Sequence, residues 1–407
     1  CHSPQERLFF NGEWQDGLLP LHNVGDDTLA QYQKFAALVE QARTAARWTL
    51  PVQNRPLAPV QSTLCATTFI AYLDQHGLND TNLRWYLDYC CRDDYGAGIA
   101  TVSAWAGIHY FASRHGFHAP GTEGVEREGL LTWPEGNAWL TQRLATPLGE
   151  RLHTGRVVLR ITSTKHGVEV DAFNTAKQTM ERWQAEQVVV ALPVFVAARV
   201  VQNAPEFLRQ AARQVVYSPW LVANIHLDRA LHDRPGPAPS WANVLYGEPG
   251  AGVGLGYVDA THQNLRALPG PTVLTHYRAL GDVVGAATGA AVGAAGRTLL
   301  LDRPWSVWRD QIVRELSQAH PDLPSKATRI DITRYGHAMA IPVPQSNGQI
   351  GHKPPSNITK SLLKKERFAG RYPARTVPAW ERLRFAHSDW AGYSVFEEAF
   401  TAGHVAV

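Results

Sequence analysis

Several short stretches of this sequence hold residues that could do chemistry. "GEPGAGVGLGYVDATHQ" (247–263) is the most glycine-dense of them. Glycines at fixed spacing can cradle a phosphate, but the G-x-G-x-x-G fingerprint must close a strand and open a helix. Gly250 and Gly252 would need a third glycine where Leu255 stands, and Gly252 and Gly254 would need one where Tyr257 stands. A turn between two strands is the expectation. His109, His115 and His118 match no standard ligand spacing, so no metal site is expected. Cys1, Cys65, Cys90 and Cys91 form neither a C-x-x-C pair nor a disulfide framework, and the adjacent Cys90 and Cys91 read as reduced thiols on a helix. In "YCCRDDYGAG" (89–98), Arg92, Asp93 and Asp94 either cap a helix and pair with other charges or meet a substrate. No G-x-S-x-G elbow or H-E-x-x-H helix points to a hydrolase.

The chain that must position these residues has 407 of them, 44% hydrophobic and 10% aromatic, with a net charge of +3. That suits a soluble enzyme of two or three domains and argues against a nucleic-acid or membrane surface. No run of 18 apolar residues is present for a transmembrane span. Helical spacing covers 28–48, 67–78 and 82–93, so helices are expected to dominate the first 115 residues or so. Another helix is expected after Pro134 and Gly136, running to about Leu148. "GRVVLRITSTK", "HGVEVDAFN" and "AEQVVVALP" then read as an antiparallel meander. Strands are expected at 220–228, 272–280 and 332–341 and a helix at 305–321. Flexible insertions are expected near 283–297 and 343–380, and a strand, tight turn and helix at the C-terminus.

Three blocks in order, "LTWPEGNAWLTQRL", "VVLRI … AEQVVVALPVFVAARVV" and "FAHSDWAGYSVFEEAFTAG", resemble the flavin amine oxidase superfamily. The whole chain is similar to its bacterial FAD-dependent, NAD(P)-binding-like oxidoreductases. The resemblance implies an α+β fold of two interleaved lobes. Residues 1–128 would be the helical part of a substrate lobe, 129–202 an FAD lobe of helix and meander, 203–380 the rest of the substrate lobe, and 381–407 the terminal FAD-binding strand-turn-helix. It also implies non-covalent FAD, since residues 92–407 hold no cysteine to tether it, and a small-molecule substrate oxidised by hydride transfer to flavin N5.

By the same resemblance, Val158, Ala191, Pro193, Ser388, Asp389, Gly392, Tyr393, Phe396 and Glu397 would hold the cofactor. The helix opened by Phe396 would offer unpaired N–H groups to the flavin edge. Tyr393 would form one wall of an aromatic cage, with Trp390, Tyr335 and His337 lining the same cavity, although "RYGHAMAIP" also fits a buried strand with a hydrogen-bonded histidine. His387 replaces the family's usual glycine, and the spacing between the acidic residue and the tryptophan is shortened. No acid or base is assigned. The family's G-x-G-x-x-G unit, expected upstream of Cys1, has no counterpart in this sequence, which therefore reads as beginning in the middle of a longer protein and being inactive alone. The rival reading is a cofactor-free binding or scaffold protein on a degenerate flavin fold. A soluble protein of the bacterial cytoplasm or periplasm is expected.

Overall fold

The computed structural model describes residues 6–52, 57–121, 136–247, 254–259, 261, 268, 270–283, 292–345 and 377–407. Cys1, Pro134, the centre of the glycine-rich stretch and most of 343–380 lie outside them. The chain is α+β and falls into two compact units built from interleaved segments. Unit 1 comprises 1–48, 58–136 and 216–348; unit 2 comprises 49–57, 137–215 and 349–407.

Unit 1 is organised on a seven-stranded mixed sheet. Its order is Ala327–Ala340, Tyr217–Leu227, Thr272–Ala279, Tyr257–Asp259, Ala242–Leu245, Glu6–Phe10 and Glu13–Asp16. Tyr217–Leu227 alternates as a half-buried strand must, turning Leu221, Ala223, Ile225 and Leu227 inward against Trp308, Ile312 and Leu316 of the helix Trp305–Leu316. Two short strands precede the helices that, as expected, dominate the first 115 residues. Asn11 and Gly12 both take positive φ, 53° and 89°, and close a two-residue hairpin whose twist matches its strands. Gly256 (φ +80°) is the described part of the glycine-rich turn between Ala242–Leu245 and Tyr257–Asp259. A Cβ there would sit 2.2 Å from the Asn243 carbonyl oxygen.

Beside the sheet elements, unit 1 holds the helices Asp26–Ala45, Phe69–Gln75, Thr81–Tyr95 and Ala104–Ala112. Thr68, Asp80 and Ser103 cap the last three by accepting first-turn N–H groups. Phe35, Phe111 and Phe117 pack edge to face among them. Gly96 ends Thr81–Tyr95 in the left-handed region (φ +74°), and a Cβ there would lie 2.4 Å from Ser218 Cβ. Of the insertion expected near 283–297, residues 284–291 lie outside the described residues and the last part is instead helical. Gly293 turns the chain, and Ala294–Asp302 is a helix that buries Gly296 and Leu300, with Gly296 too close to the Leu280 carbonyl for any side chain.

Unit 2 contains the meander Arg156–Ser163, Val168–Asn174 and Thr179–Ala185. Its third strand is not the "AEQVVVALP" run. Val188–Val190 leaves the meander and pairs in parallel with Leu383–Phe385, Val188 opposite Leu383 and Val190 opposite Phe385. Val190, Leu383 and Phe385 are buried in the core with Val188 packed against them, whereas Thr179–Ala185 is nearly all exposed. Around this pair pack the helices Val194–Val200 and Glu206–Gln214, with Leu208, Phe385 and Trp390 in the core. Phe396–Ala406 is the terminal helix, and Ala138–Ala145 buries no residue.

Candidate functional site

In unit 2 the parallel strands Val188–Val190 and Leu383–Phe385 end side by side, and each leads into a tight segment. The carboxyl ends of parallel strands are where open α/β sheets bind ligands. From the first strand, Ala191 is exposed and Pro193 stands before the helix Val194–Val200. From the second come His387, the short 3₁₀ turn Ser388–Ala391 and Gly392, whose φ of +86° reverses the chain.

Asp389 joins the two segments. Its Oδ2 accepts the backbone N–H of Val194 at 2.9 Å, satisfying a donor at the start of that helix, and its Oδ1 lies 3.2 Å from His387 Nδ1. His387 Nδ1 accepts the Asp389 N–H at 3.1 Å, so a histidine side chain closes the turn. Asp389 is 1% exposed and Ser388 is also buried. Trp390 packs against Phe207 and Phe385 at 6.1 Å. Val158, half-buried on Arg156–Ser163, leans on the same core.

Tyr393 has no exposed surface, and its hydroxyl donates to Glu398 Oε1 at 2.9 Å. The same oxygen accepts the Val52 N–H at 2.5 Å. Glu398, fully buried, thus ties the terminal helix to Tyr393 and to Val52. Glu398, His387 and the Val194 N–H were not among the expected site residues. For Glu398, the only signal available was an acidic residue at an inward position of "VFEEAF".

The helix Phe396–Ala406 has no side-chain cap, Phe396 and Glu397 at its start are exposed, and Glu398 points inward. Tyr335 and His337 belong to unit 1, on Ala327–Ala340, and both are exposed. His337 packs edge to face on Tyr217 at 5.5 Å.

The polar cluster 89–98 divides. Arg92 pairs with Asp88 at 2.5 Å and with Asp282 at 3.1 Å, and Arg114 donates to both oxygens of Asp94 at 3.1 Å. Asp93 makes no ion pair among the described residues, and its carboxyl is pushed up to about 7 by desolvation, then by the Asp94 and Glu6 charges, against the pull of Arg114. Cys90 and Cys91 are free thiols, buried on this helix. His109 stacks on Trp105 at 4.4 Å.

The family model of flavin-containing amine oxidoreductases matches residues 94–407. A search of curated proteins finds no match. Among solved structures, wild-type putrescine oxidase bound to putrescine is similar with a TM-score of 0.62 and 13% identity, over 99% of this chain and 81% of that one. Cyclohexylamine oxidase from Brevibacterium oxydans IH-35A gives 0.60 and 14%, over 99% and 80%. A CLA-producing fatty acid isomerase from P. acnes gives 0.56 and 11%, over 99% and 78%. At such identities the likeness is one of fold. No helix among the described residues is long and apolar enough to cross a membrane.

Proposed function

The chain belongs to the flavin-containing amine oxidoreductases, and from that premise we propose that it is an FAD-dependent oxidoreductase taking a hydride from a carbon next to nitrogen in a small amine. The family match over 94–407, which includes the whole strand-turn-helix of unit 2, carries this reading. Fold alone would not, because an isomerase shares it.

FAD, when bound, supplies the hydride acceptor and passes the electrons on. The protein's part is to hold and orient. We assign Ala191, Pro193, Gly392, Phe396 and Glu397 to the flavin edge, mainly through backbone groups. Ser388 and Asp389 serve the cofactor's hydroxylated chain. Asp389 has lone pairs beyond the one used by Val194, so it can accept from a ligand hydroxyl while it holds the turn. Val158 is assigned to the adenine end. Tyr393 and Trp390 shape the site in unit 2, Tyr393 held in place by Glu398. The flavin is held without a covalent link.

Expression of this chain within its full-length protein, with FAD supplied, tests the reading. We expect bound flavin that acid precipitation releases entirely into the supernatant, and whose visible absorbance bleaches anaerobically on adding one of a panel of primary amines. A chain that takes up no flavin, or a flavin that no amine in the panel reduces, would sink it.

A further inference from the structure

The edge strand Ala327–Ala340 departs from its ladder at one place. Tyr335 stands opposite Trp220 and Met339 opposite Ser218, so Gly336, His337 and Ala338 face the single residue Pro219. A bulge of this kind takes backbone groups out of the sheet's pairing and bends the strand. The helix Ala294–Asp302 takes up one of them. Arg297 Nε donates to the Gly336 carbonyl at 2.8 Å, and the Cβ that Gly336 lacks would sit 3.7 Å from Arg297 Cγ and Cδ, so the arginine stem runs alongside the glycine. The strand reaches back. Arg334 donates from Nη1 to the Leu301 carbonyl at 3.1 Å and from Nη2 to the Arg303 carbonyl at 2.9 Å. Helix and strand are thus joined through two guanidinium groups, all within unit 1.

Neither group meets a carboxylate. Among the described residues no ion pair involves Arg297 or Arg334, and Asp302, the one acidic residue of the helix, pairs with neither. Arg297 is the more enclosed of the two, half-buried where Arg334 is exposed. Desolvation lowers its pKa below the usual value, and no neighbouring charge opposes that. Because Nε is held by Gly336, the plane and direction of the guanidinium are fixed, while both Nη groups have no partner among the described residues. A cation withdrawn from water normally has its charge matched and its N–H groups satisfied. At the outer end of this fork neither is done. His337, next along the bulge, packs edge to face on Tyr217 at 5.5 Å, so aromatic rings flank this part of the strand.

We propose that Arg297, pinned at Nε to the Gly336 bulge, anchors a binding site for a small organic carboxylate held by its two Nη groups. A planar fork matches two coplanar oxygens, and its single positive charge matches the single negative charge of a carboxylate. A phosphate dianion needs a second available cation, and both Nη groups of Arg334 already donate to carbonyls. The carboxylate supplies the counter-charge that the fold withholds from a half-buried arginine. The site does not rest on the proposed oxidation.

Calorimetric titration of the full-length protein with benzoate at fixed ionic strength tests this, with benzamide as a neutral probe of similar shape and inorganic phosphate as the rival anion. Wild type should bind benzoate at least about tenfold more tightly than either, the scale of hydrogen bonds to a charged group. Arg297→Gln keeps an amide that can reach the Gly336 carbonyl but carries no charge, so it should lose at least about tenfold for benzoate and all preference over benzamide. Arg297→Lys should fall between, since it keeps the charge and loses the fork. Thermal unfolding checks that both variants fold. Phenylglyoxal labelling of wild type, read by peptide mass, needs no variant: benzoate should slow modification of Arg297 and leave that of Arg334 unchanged. No benzoate binding by wild type, equal affinity for phosphate, unchanged binding by a folded Arg297→Gln, or Arg297 labelling that benzoate does not slow would each overturn the site.

Discussion

Two groups of charged residues, one in each unit, use the same side chains at the same distances to opposite effect. On the meander of unit 2, Asp171 accepts from Arg160 at 2.6 Å and from Arg182 at 2.7 Å, Arg182 also reaches Glu169 at 3.3 Å, and Arg156 meets Glu181 at 3.2 Å. Both arginines of Asp171 are about half exposed. The hydrogen bonds from Arg182 and then Arg160 hold the Asp171 carboxyl down at about 2. In unit 1, Arg92 joins Asp88 and Asp282 where all three side chains are nearly closed off from solvent, and at the next position Asp93, with no ion pair among the described residues, is pushed up to about 7. Distance does not separate the groups; solvent does. Water screens the ladder, so each pair in it is replaceable. The buried network cannot lose a member without stranding a charge.

Breaking the buried network should have the largest effect. Arg92→Ala leaves Asp88 and Asp282 facing each other without a cation, and we expect a loss of ~3–5 kcal/mol in denaturant unfolding. A loss below about 1 kcal/mol would place this network in the same class as the meander's ladder. Next comes His276 in unit 1, fully buried, with neither ring nitrogen hydrogen-bonded within normal geometry. Desolvation, then the Arg278 charge, lowers it from 6.5 to about 3, opposed only by the Gly256 backbone. The unfolded chain therefore binds a proton between those values that the folded chain does not, so stability is present above pH 6.5 and is lost as pH falls toward 3. The slope should approach ~1.4 kcal/mol per pH unit. Unfolding free energy measured across that window should show it, and His276→Leu should flatten it. An equal slope in the variant assigns the acid limb to other groups.

Local pattern made the scaffold of both groups legible. Thr28, Tyr32, Phe35 and Val39 recur at helical spacing within Asp26–Ala45, and Tyr217–Leu227 alternates cleanly. What the pattern missed has physical causes. Thr179–Ala185 has little buried face to alternate against, so its hydrophobic period is absent. Val188–Val190 finds its partner in Leu383–Phe385, far along the chain, and nothing local records that. Asn11-Gly12 is a type of dipeptide that closes a two-residue hairpin, and the reading of the N-terminal region, drawn from the helical spacing at 28–48, 67–78 and 82–93, did not use it. At the candidate site, the terminal motif pointed to Asp389 but not to its bond with Val194, which depends on tertiary approach. Asp93 and Asp94 are indistinguishable as letters. Successive positions on a helix point about 100° apart, so one turns to Arg114 and the other to the tyrosines.

Asp389 sharpens the comparison because it is a buried carboxylate in unit 2, the unit that carries the exposed ladder. If solvent and not the choice of unit sets the cost, Asp389→Ala should behave like a change in the buried class. It removes the acceptor from the Val194 N–H at a helix start, and ~1–2 kcal/mol should be lost. An unfolding midpoint equal to wild type would show that water replaces the carboxylate at that N–H.

The smallest effect is expected where the structure shows the most ion pairs. Asp171→Asn deletes the acceptor shared by Arg160 and Arg182, the centre of the meander's ladder. Its low carboxyl pKa shows that the charged form is favoured, but the arginines released have water on their open sides and Arg182 keeps Glu169. Strand pairing there does not depend on the carboxylate either, since the backbone register places Asp171 opposite Arg160 on one side and Arg182 on the other. We therefore expect an unfolding midpoint close to wild type at low salt, with any residual difference gone at about 1 M salt, where the screening length falls to about 3 Å. A large loss that persists in high salt would mean that the ladder is structural after all, and that exposure is the wrong variable for dividing the two groups.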